Sequence, residues 1–190
     1  MTKSISELLE PAAARAVGVI RGIDDTRLGD PTPCSEYDVR ALVNHLFQVV
    51  VQFQALAAKK DSEFGETPDQ VGEGGDWRQR FADETGRLAA AWAVPGAETG
   101  TAGAMGFPAR TVGLMVLGDL TVHAWDLARA TGGDFAPDPV VVAELLSSYE
   151  ELASGARKAG VFGDPVDVPP DAPEFDRILA LTGRDPHWKR

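Results

Sequence analysis

Apolar residues recur every three to four positions along most of the chain, with polar residues between them. This spacing places the apolar side chains on one face of a helix, so it indicates helices that pack on a shared core. Five long segments and one short segment carry it, at about 5–20, 39–60, 76–94, 108–130, 138–158 and 173–182. Alternation typical of strands is confined to short pieces. The pattern predicts an all-α fold, a bundle of four main helices with further elements added to it.

Local motifs mark the ends of several predicted helices. Ser35 is the predicted N-cap of the second helix, with Asp38 three residues later in the place of the usual glutamate of a capping box. Pro108 is expected as an early residue of the fourth helix, which should end at the glycine pair 132–133. Asp138, which precedes a proline, predicts the start of the fifth helix.

Three segments lack helical spacing. Residues 61–75 are acidic and glycine-rich, and residues 96–105 are mostly small, so both are expected to be loops. Residues 160–170 are rich in proline and glycine, which predicts a short extended segment before the last helix.

The composition narrows the classes of function. With 190 residues, of which 44% are hydrophobic, we expect a single domain over residues 1–190. A net charge of −11 argues against nucleic acid and anionic membrane surfaces as partners. The first residues form no apolar signal core and the apolar runs are too short for a bilayer, so the expected location is cytoplasmic. The single cysteine excludes an internal disulfide, and only three histidines are present.

The fourth predicted helix combines burial with charge. Its sequence is apolar nearly all round, which is usual for a buried helix, yet it contains Asp119, His123 and Asp126. Asp119 and His123 are four residues apart and share one face, and Asp126 falls close to the same line. Burial of a carboxylate and an imidazole is costly unless they are paired or bound to a metal.

His45, at the edge of the apolar face of the second helix, is the third candidate beside Asp119 and His123. Two imidazoles and one carboxylate from two facing helices form a three-ligand set for a divalent metal and leave a position for water or substrate. Zinc, nickel, iron and cobalt all accept this set. The alternative is that each histidine is an ordinary core residue, because Asp-x-x-x-His alone is a weak motif.

Two segments resemble signature blocks of one family. They are Thr-Pro-Cys-Ser-Glu-Tyr-Asp-Val-Arg-Ala-Leu-Val-Asn-His at 32–45 and Asp-Leu-Thr-Val-His-Ala-Trp-Asp-Leu-Ala-Arg-Ala-Thr-Gly at 119–132. Both are similar to the metal-binding N-terminal domain of mycothiol-dependent maleylpyruvate isomerase, in the DinB-like superfamily, and the segment 176–186 fits small single-domain members. The resemblance implies a DinB-like four-helix bundle in which His45, Asp119 and His123 hold a divalent metal, zinc or nickel. The isomerase has glutamate at the position of Asp119, and the shorter aspartate allows ligation through water.

The resemblance also implies a chemistry. The metal would bind mycothiol as its thiolate, and the thiolate would attack a small electrophile in a thiol transferase or thiol-assisted isomerase. The expected partners are a small-molecule thiol, an electrophilic substrate and, because superfamily members often pair, a second copy in a homodimer. The isomerase carries a second domain for which this chain has no room, so maleylpyruvate isomerisation itself is not expected. The alternative function is a non-catalytic bundle that binds a metal or a small ligand.

Two residues near the predicted ligands have open roles. Asp126 is interpreted as an acceptor that holds the ring of a ligand histidine, as a fourth ligand, or as the ion-pair partner of Arg129 or Arg40. Cys34 stands just before the second helix, where the helix N-terminus would lower the pKa of its thiol and make it reactive. The other interpretation of Cys34 is a small buried filler.

The roles of the acidic loop and of the C-terminal tail are also open. The 61–76 loop is most simply solvated, although such a loop can act as a lid. His187 and Trp188 belong to a tail that either lies on the surface or folds back to close a pocket.

Overall fold

The computed structural model describes residues 2–104 and 106–190. Its helices are α1 (Ile5–Gly22), α2 (Val39–Ala57), α3 (Trp77–Trp92), α4 (Ala109–Thr131), α5 (Pro139–Lys158) and α6 (Glu174–Leu181), with a 3-10 turn at Asp25–Arg27. Two short strands, β1 (Thr101–Ala102) and β2 (Phe107–Pro108), pair in an antiparallel arrangement. The predicted all-α, DinB-like bundle is confirmed. Within the described ranges, none of the helices is long and apolar enough to cross a bilayer.

Helices α1 to α4 surround the main core. Both α1 and α2 pack against α3 and against α4, while α5 packs on α4 and α1, and α6 packs on α5. Each of the first four helices contributes wholly buried leucines to one cluster, among them Leu9, Leu46, Leu88 and Leu117. Because α4 is covered by α1, α2 and α5, most of its side chains are buried, which accounts for its apolar sequence.

The start of α2 differs from the prediction. The N-cap is Asp38, whose carboxylate accepts a hydrogen bond from the backbone N–H of Ala41 at 2.8 Å, and Ser35 lies outside the helix. The hydroxyl of Thr32 donates to the carbonyl oxygens of Cys34 and Tyr37, so residues 34–37 form a turn. This turn competes with helix formation at residues 34–37, so the N-cap is Asp38 and not Ser35.

The predicted loop at 96–105 and the start of α4 also need correction. Thr101 and Ala102 pair with Pro108 and Phe107, so part of the loop belongs to a hairpin, while Met105 lies outside the described residues. Pro108 is not an early helical residue, because its backbone is extended with ψ 131° and it precedes the helix. The end of α4 agrees with the prediction, since Gly132 adopts φ 79° and closes the helix.

The C-terminal helix ends in a glycine turn that redirects the chain. The N–H of Arg184 donates to the carbonyl of Leu179 at 2.9 Å and the N–H of Gly183 to that of Ala180 at 3.1 Å, which is the Schellman pattern. Gly183 has φ 86°, and a Cβ at this position would lie 2.8 Å from the Cα of Gly163. Only glycine satisfies both the left-handed backbone and the close contact.

We expect Gly183→Ala to destabilise the fold by at least about 2 kcal/mol, because it combines left-handed strain with overpacking against Gly163. Gly86→Ala is the matched control: Gly86 lies inside α3 with nothing within 4 Å of a Cβ, so alanine should stabilise by about 0.5–1 kcal/mol. Urea unfolding followed by circular dichroism measures both. Equal effects of the two substitutions would contradict the role assigned to Gly183.

Candidate metal centre

The structure brings the three predicted ligands together. His45 extends from α2, and Asp119 and His123 extend from α4. One ligand atom from each lies within 4.8 Å of the other two. The imidazole rings of His45 and His123 are 5.2 Å apart between centroids and nearly perpendicular, at 87°. The arrangement gives two imidazoles and one carboxylate facing a common point between two helices.

The two ring nitrogens of His123 have different neighbours. Nδ1 is 2.9 Å from Oδ2 of Asp126, and Nε2 faces Asp119, with 3.9 Å between Nε2 and Oδ1. A carboxylate on one nitrogen fixes the orientation of an imidazole and leaves the other nitrogen for a metal. The side chain of His123 is 10% exposed and that of Asp119 is 33% exposed, so the Nε2 side of the ring is the one that opens toward solvent.

His45 is partly buried and stacks on an aromatic ring. The ring of Tyr37 lies 5.2 Å from that of His45 at an interplanar angle of 19°. Burial lowers the pKa of His45 below its ordinary value, although the charge of Asp119 opposes this effect. At neutral pH the imidazole is therefore neutral, as metal ligation requires. The role of Tyr37 was not predicted, although the residue falls inside the 32–45 signature block.

Asp126 has a cation partner that the sequence did not indicate. Its carboxylate is fully buried and pairs with the guanidinium of Arg184 at 3.1 Å, not with Arg129 or Arg40, the partners that the ion-pair interpretation named. Of its three predicted roles, the geometry matches the acceptor that holds the ring of His123. Burial opposes the charge of Arg184, but the pairing and hydrogen bonds with Asp126 outweigh it and raise the pKa of Arg184. No periodic pattern points to Arg184, because it lies in a loop 58 residues from its partner.

Cys34 belongs to a second cluster of possible ligands. Its sulfur and one atom each from His123 and Asp126 lie within 4.8 Å of one another. Arg184 already supplies a positive charge to this cluster, with Nη2 3.4 Å from Nδ1 of His123 and 3.1 Å from Asp126. A cation bound there would meet the guanidinium, so the His45 cluster is the better candidate.

The thiol of Cys34 is not activated in the way that its sequence position indicated. Cys34 is partly buried, and α2 begins only at Val39, so the helix N-terminus is not adjacent. Burial raises the pKa of Cys34, with the charge of Arg184 opposing it. The structure therefore favours a packed thiol over a reactive one.

The acidic loop 61–76 runs along one polar stripe of α2. Arg40, Asn44, Gln48 and Gln52 are spaced four residues apart and each bonds to this loop. Asp69 has the most of these contacts, because its carboxylate accepts hydrogen bonds from Arg40 and from Asn44. These hydrogen bonds lower the pKa of Asp69 to about 2. The loop is thus attached to the helix that carries His45.

The tail folds back on the bundle in part. Trp188 is partly buried against the core, and its carbonyl accepts a hydrogen bond from Arg129 at 3.0 Å. His187 is exposed. Trp188 therefore packs on the bundle whereas His187 does not, and neither residue belongs to a cluster of possible metal ligands.

Comparison with known proteins identifies the family. Residues 9–128 match the model of the mycothiol maleylpyruvate isomerase N-terminal domain. The chain belongs to this family. The matched segment includes His45, Asp119, His123 and Asp126, and it ends before Arg184.

Two mycobacterial proteins are similar over most of their length. They are uncharacterized proteins MT0763 and Rv0738 of Mycobacterium tuberculosis, from strains CDC 1551 and H37Rv. Each is 30% identical over 166 residues, which cover 83% of this chain and 85% of the relative. No solved structure matches the chain significantly.

We expect the native Cys34 thiol to react with iodoacetamide at pH 8 at least about fivefold more slowly than the same thiol in the urea-unfolded chain. The raised pKa reduces the thiolate fraction, and burial restricts access. The native rate should continue to rise with pH above the range in which the unfolded chain reaches its plateau. A native rate faster than the unfolded rate would show an activated thiol instead.

Proposed function

We propose that this protein binds one divalent metal ion, zinc or nickel, through His45, Asp119 and His123, and that it is a metal-dependent thiol transferase or thiol-assisted isomerase. The thiol substrate is mycothiol and the second substrate is a small electrophile. The single observation that carries the proposal is the convergence of His45 from α2 with Asp119 and His123 from α4.

The donor set fits a divalent ion. Nitrogen and oxygen ligands lie at about 2.0–2.2 Å from zinc, so two ligands at the tetrahedral angle are about 3.4 Å apart. The 3.9 Å between Nε2 of His123 and Oδ1 of Asp119 is close to this separation, and a small side-chain rotation brings the two atoms within it. Asp119 takes the place of the isomerase's glutamate, and this distance supports direct ligation by the shorter side chain.

The arrangement is compatible with this chemistry. A divalent ion held by these residues would favour the thiolate form of a thiol bound to it, and that thiolate would be the nucleophile. His45 and Asp119 are partly exposed, so solvent reaches this side of the cluster. Asp126 holds the ring of His123 from the buried side, and the stacked ring of Tyr37 lies beside His45 on the same cluster. The name of the family, with its mycothiol-dependent isomerase, supports mycothiol as the source of the sulfur.

We expect the purified protein to bind close to one equivalent of Zn²⁺ or Ni²⁺, and His123→Ala to abolish high-affinity binding because it removes a ligand. Metal at 100 times its Kd should stabilise the wild-type protein by about 2.7 kcal/mol and should not stabilise His123→Ala. Elemental analysis and thermal unfolding with and without metal measure this.

His187→Ala is the matched control for this experiment, because His187 is exposed in the tail and should leave metal binding unchanged. Failure of the wild-type protein to take up either metal would refute the proposal. Equal loss of stability by His123→Ala with and without metal would identify His123 as an ordinary core residue.

We expect the metal-loaded protein to transfer mycothiol to a small electrophile such as monobromobimane, forming the carbon–sulfur bond and releasing bromide. His45→Ala should reduce the rate at least about a hundredfold, whereas Cys34→Ser should stay within about twofold, because mycothiol supplies the sulfur. Product formation is followed by fluorescence, with the metal-free protein as control. A metal-loaded protein inert toward mycothiol and every electrophile tested would support the non-catalytic metal-binding alternative.

A further inference from the structure

The C-terminal segment places a positive charge behind the candidate metal centre. The guanidinium of Arg184 contacts both oxygens of Asp126, with Nε at 3.3 Å from each and Nη2 at 3.1 Å from Oδ2. The side chain of Arg184 is only 10% exposed, and that of Asp126 is not exposed at all. Such a contact fixes the plane of the carboxylate as well as its position.

The carboxylate in turn contacts a candidate ligand. Oδ2 of Asp126 lies 2.9 Å from Nδ1 of His123, so the orientation of the carboxylate determines the orientation of the imidazole. In the part of the chain that the structure describes, His123 and Arg184 are the hydrogen-bond partners of this carboxylate. Without Arg184, a buried carboxylate would lose its cation and the larger part of its fixed contacts.

The position of Arg184 is itself determined by tight local structure. The Schellman turn at Gly183 ends α6, and the third guanidinium nitrogen of Arg184, Nη1, donates to the carbonyl of Thr182 at 3.1 Å. The segment is further held by the close approach of Gly183 to Gly163. These contacts restrict the guanidinium to the buried side of His123.

We propose that Arg184 is a positioning residue of the metal centre, which acts through Asp126 to hold the ring of His123 in the orientation that directs Nε2 toward His45 and Asp119. This inference rests on the proposed metal site, and it extends that site beyond the family match, which ends at residue 128. The C-terminal segment is thus part of the centre.

The test compares Co²⁺ binding by the full-length wild-type protein, Arg184→Gln and Arg184→Lys. Affinity is measured by competition with a chelator, and ligand geometry by the visible absorption of bound Co²⁺. We expect Arg184→Gln to weaken binding about tenfold and to alter the absorption band, in line with residues that orient metal ligands. The Co²⁺ affinity of Arg184→Lys should lie between those of the wild-type protein and Arg184→Gln, because lysine keeps the positive charge and lacks the planar guanidinium group.

Arg157→Gln is the matched control. Arg157 is another arginine that attaches to the end of α6, through a hydrogen bond to the carbonyl of Leu181 at 3.1 Å, and that bond does not involve Asp126. A purely structural role for Arg184 predicts that both glutamine variants lower the stability of the metal-free protein and leave the Co²⁺ affinity and spectrum unchanged. We expect only Arg184→Gln to change the affinity.

The outcomes separate the two proposals. Wild-type protein that binds no Co²⁺ overturns the metal site and the role of Arg184 with it. If the wild-type protein binds Co²⁺ and Arg184→Gln binds it with an affinity within twofold of the wild-type value, the role of Arg184 alone is overturned. The same conclusion follows if Arg157→Gln loses as much affinity as Arg184→Gln. If Arg184→Gln does not fold, Arg184→Lys decides, because a wild-type affinity and spectrum in that variant would overturn the inference and a loss of about threefold or more would support it.

Discussion

The buried ion pair between Asp126 and Arg184 is the interaction on which the arrangement at the centre of this protein depends. A carboxylate with no solvent exposure in the middle of an apolar helix is tolerated only with a cation and hydrogen-bond donors around it. Arg184 supplies the cation from the C-terminal segment, and His123 contacts the Oδ2 atom of the same carboxylate. The pair therefore links the end of the chain to the helix that carries two of the three candidate ligands.

Close packing around α4 leaves one edge of the cluster open. A Cβ at Gly113 would collide with Ile5 of α1, and a Cβ at Gly118 would lie 1.6 Å from the hydroxyl of Tyr149 of α5, so glycine allows both helices to approach closely. Burial raises the pKa of Tyr149, and the neighbouring charge of Asp119 adds to this effect. The tightly packed sides of α4 exclude solvent, whereas the side that faces His45 keeps Asp119 partly exposed. The solvent-accessible part of the candidate cluster consequently lies on the α2–α4 side.

The two faces of α2 have different contacts. The apolar face of α2 packs into the bundle, while its polar stripe from Arg40 to Gln52 forms hydrogen bonds with residues 63–71 of the acidic loop. Composition alone predicts a solvated loop and does not reveal the attachment, because side chains spaced by four residues on a helix surface resemble an ordinary solvated face. The turn at 34–37 is likewise hidden in the sequence, because no capping motif reveals the hydrogen bonds that Thr32 forms.

Local sequence determined the number and approximate extent of the helices, the end of α4 at Gly132, and the shared face of Asp119 and His123, because helical periodicity and capping act over a few residues. The position of His45 at the edge of the apolar face of the second helix makes it the third candidate ligand, and the family resemblance favours that assignment over an ordinary core histidine. Tertiary structure alone decided that Arg184 partners Asp126, that Tyr37 stacks on His45, and that burial raises the pKa of Cys34. These outcomes depend on contacts between residues far apart in the chain, on the turn geometry before α2 and on the removal of charged groups from water, none of which leaves a periodic pattern in the sequence.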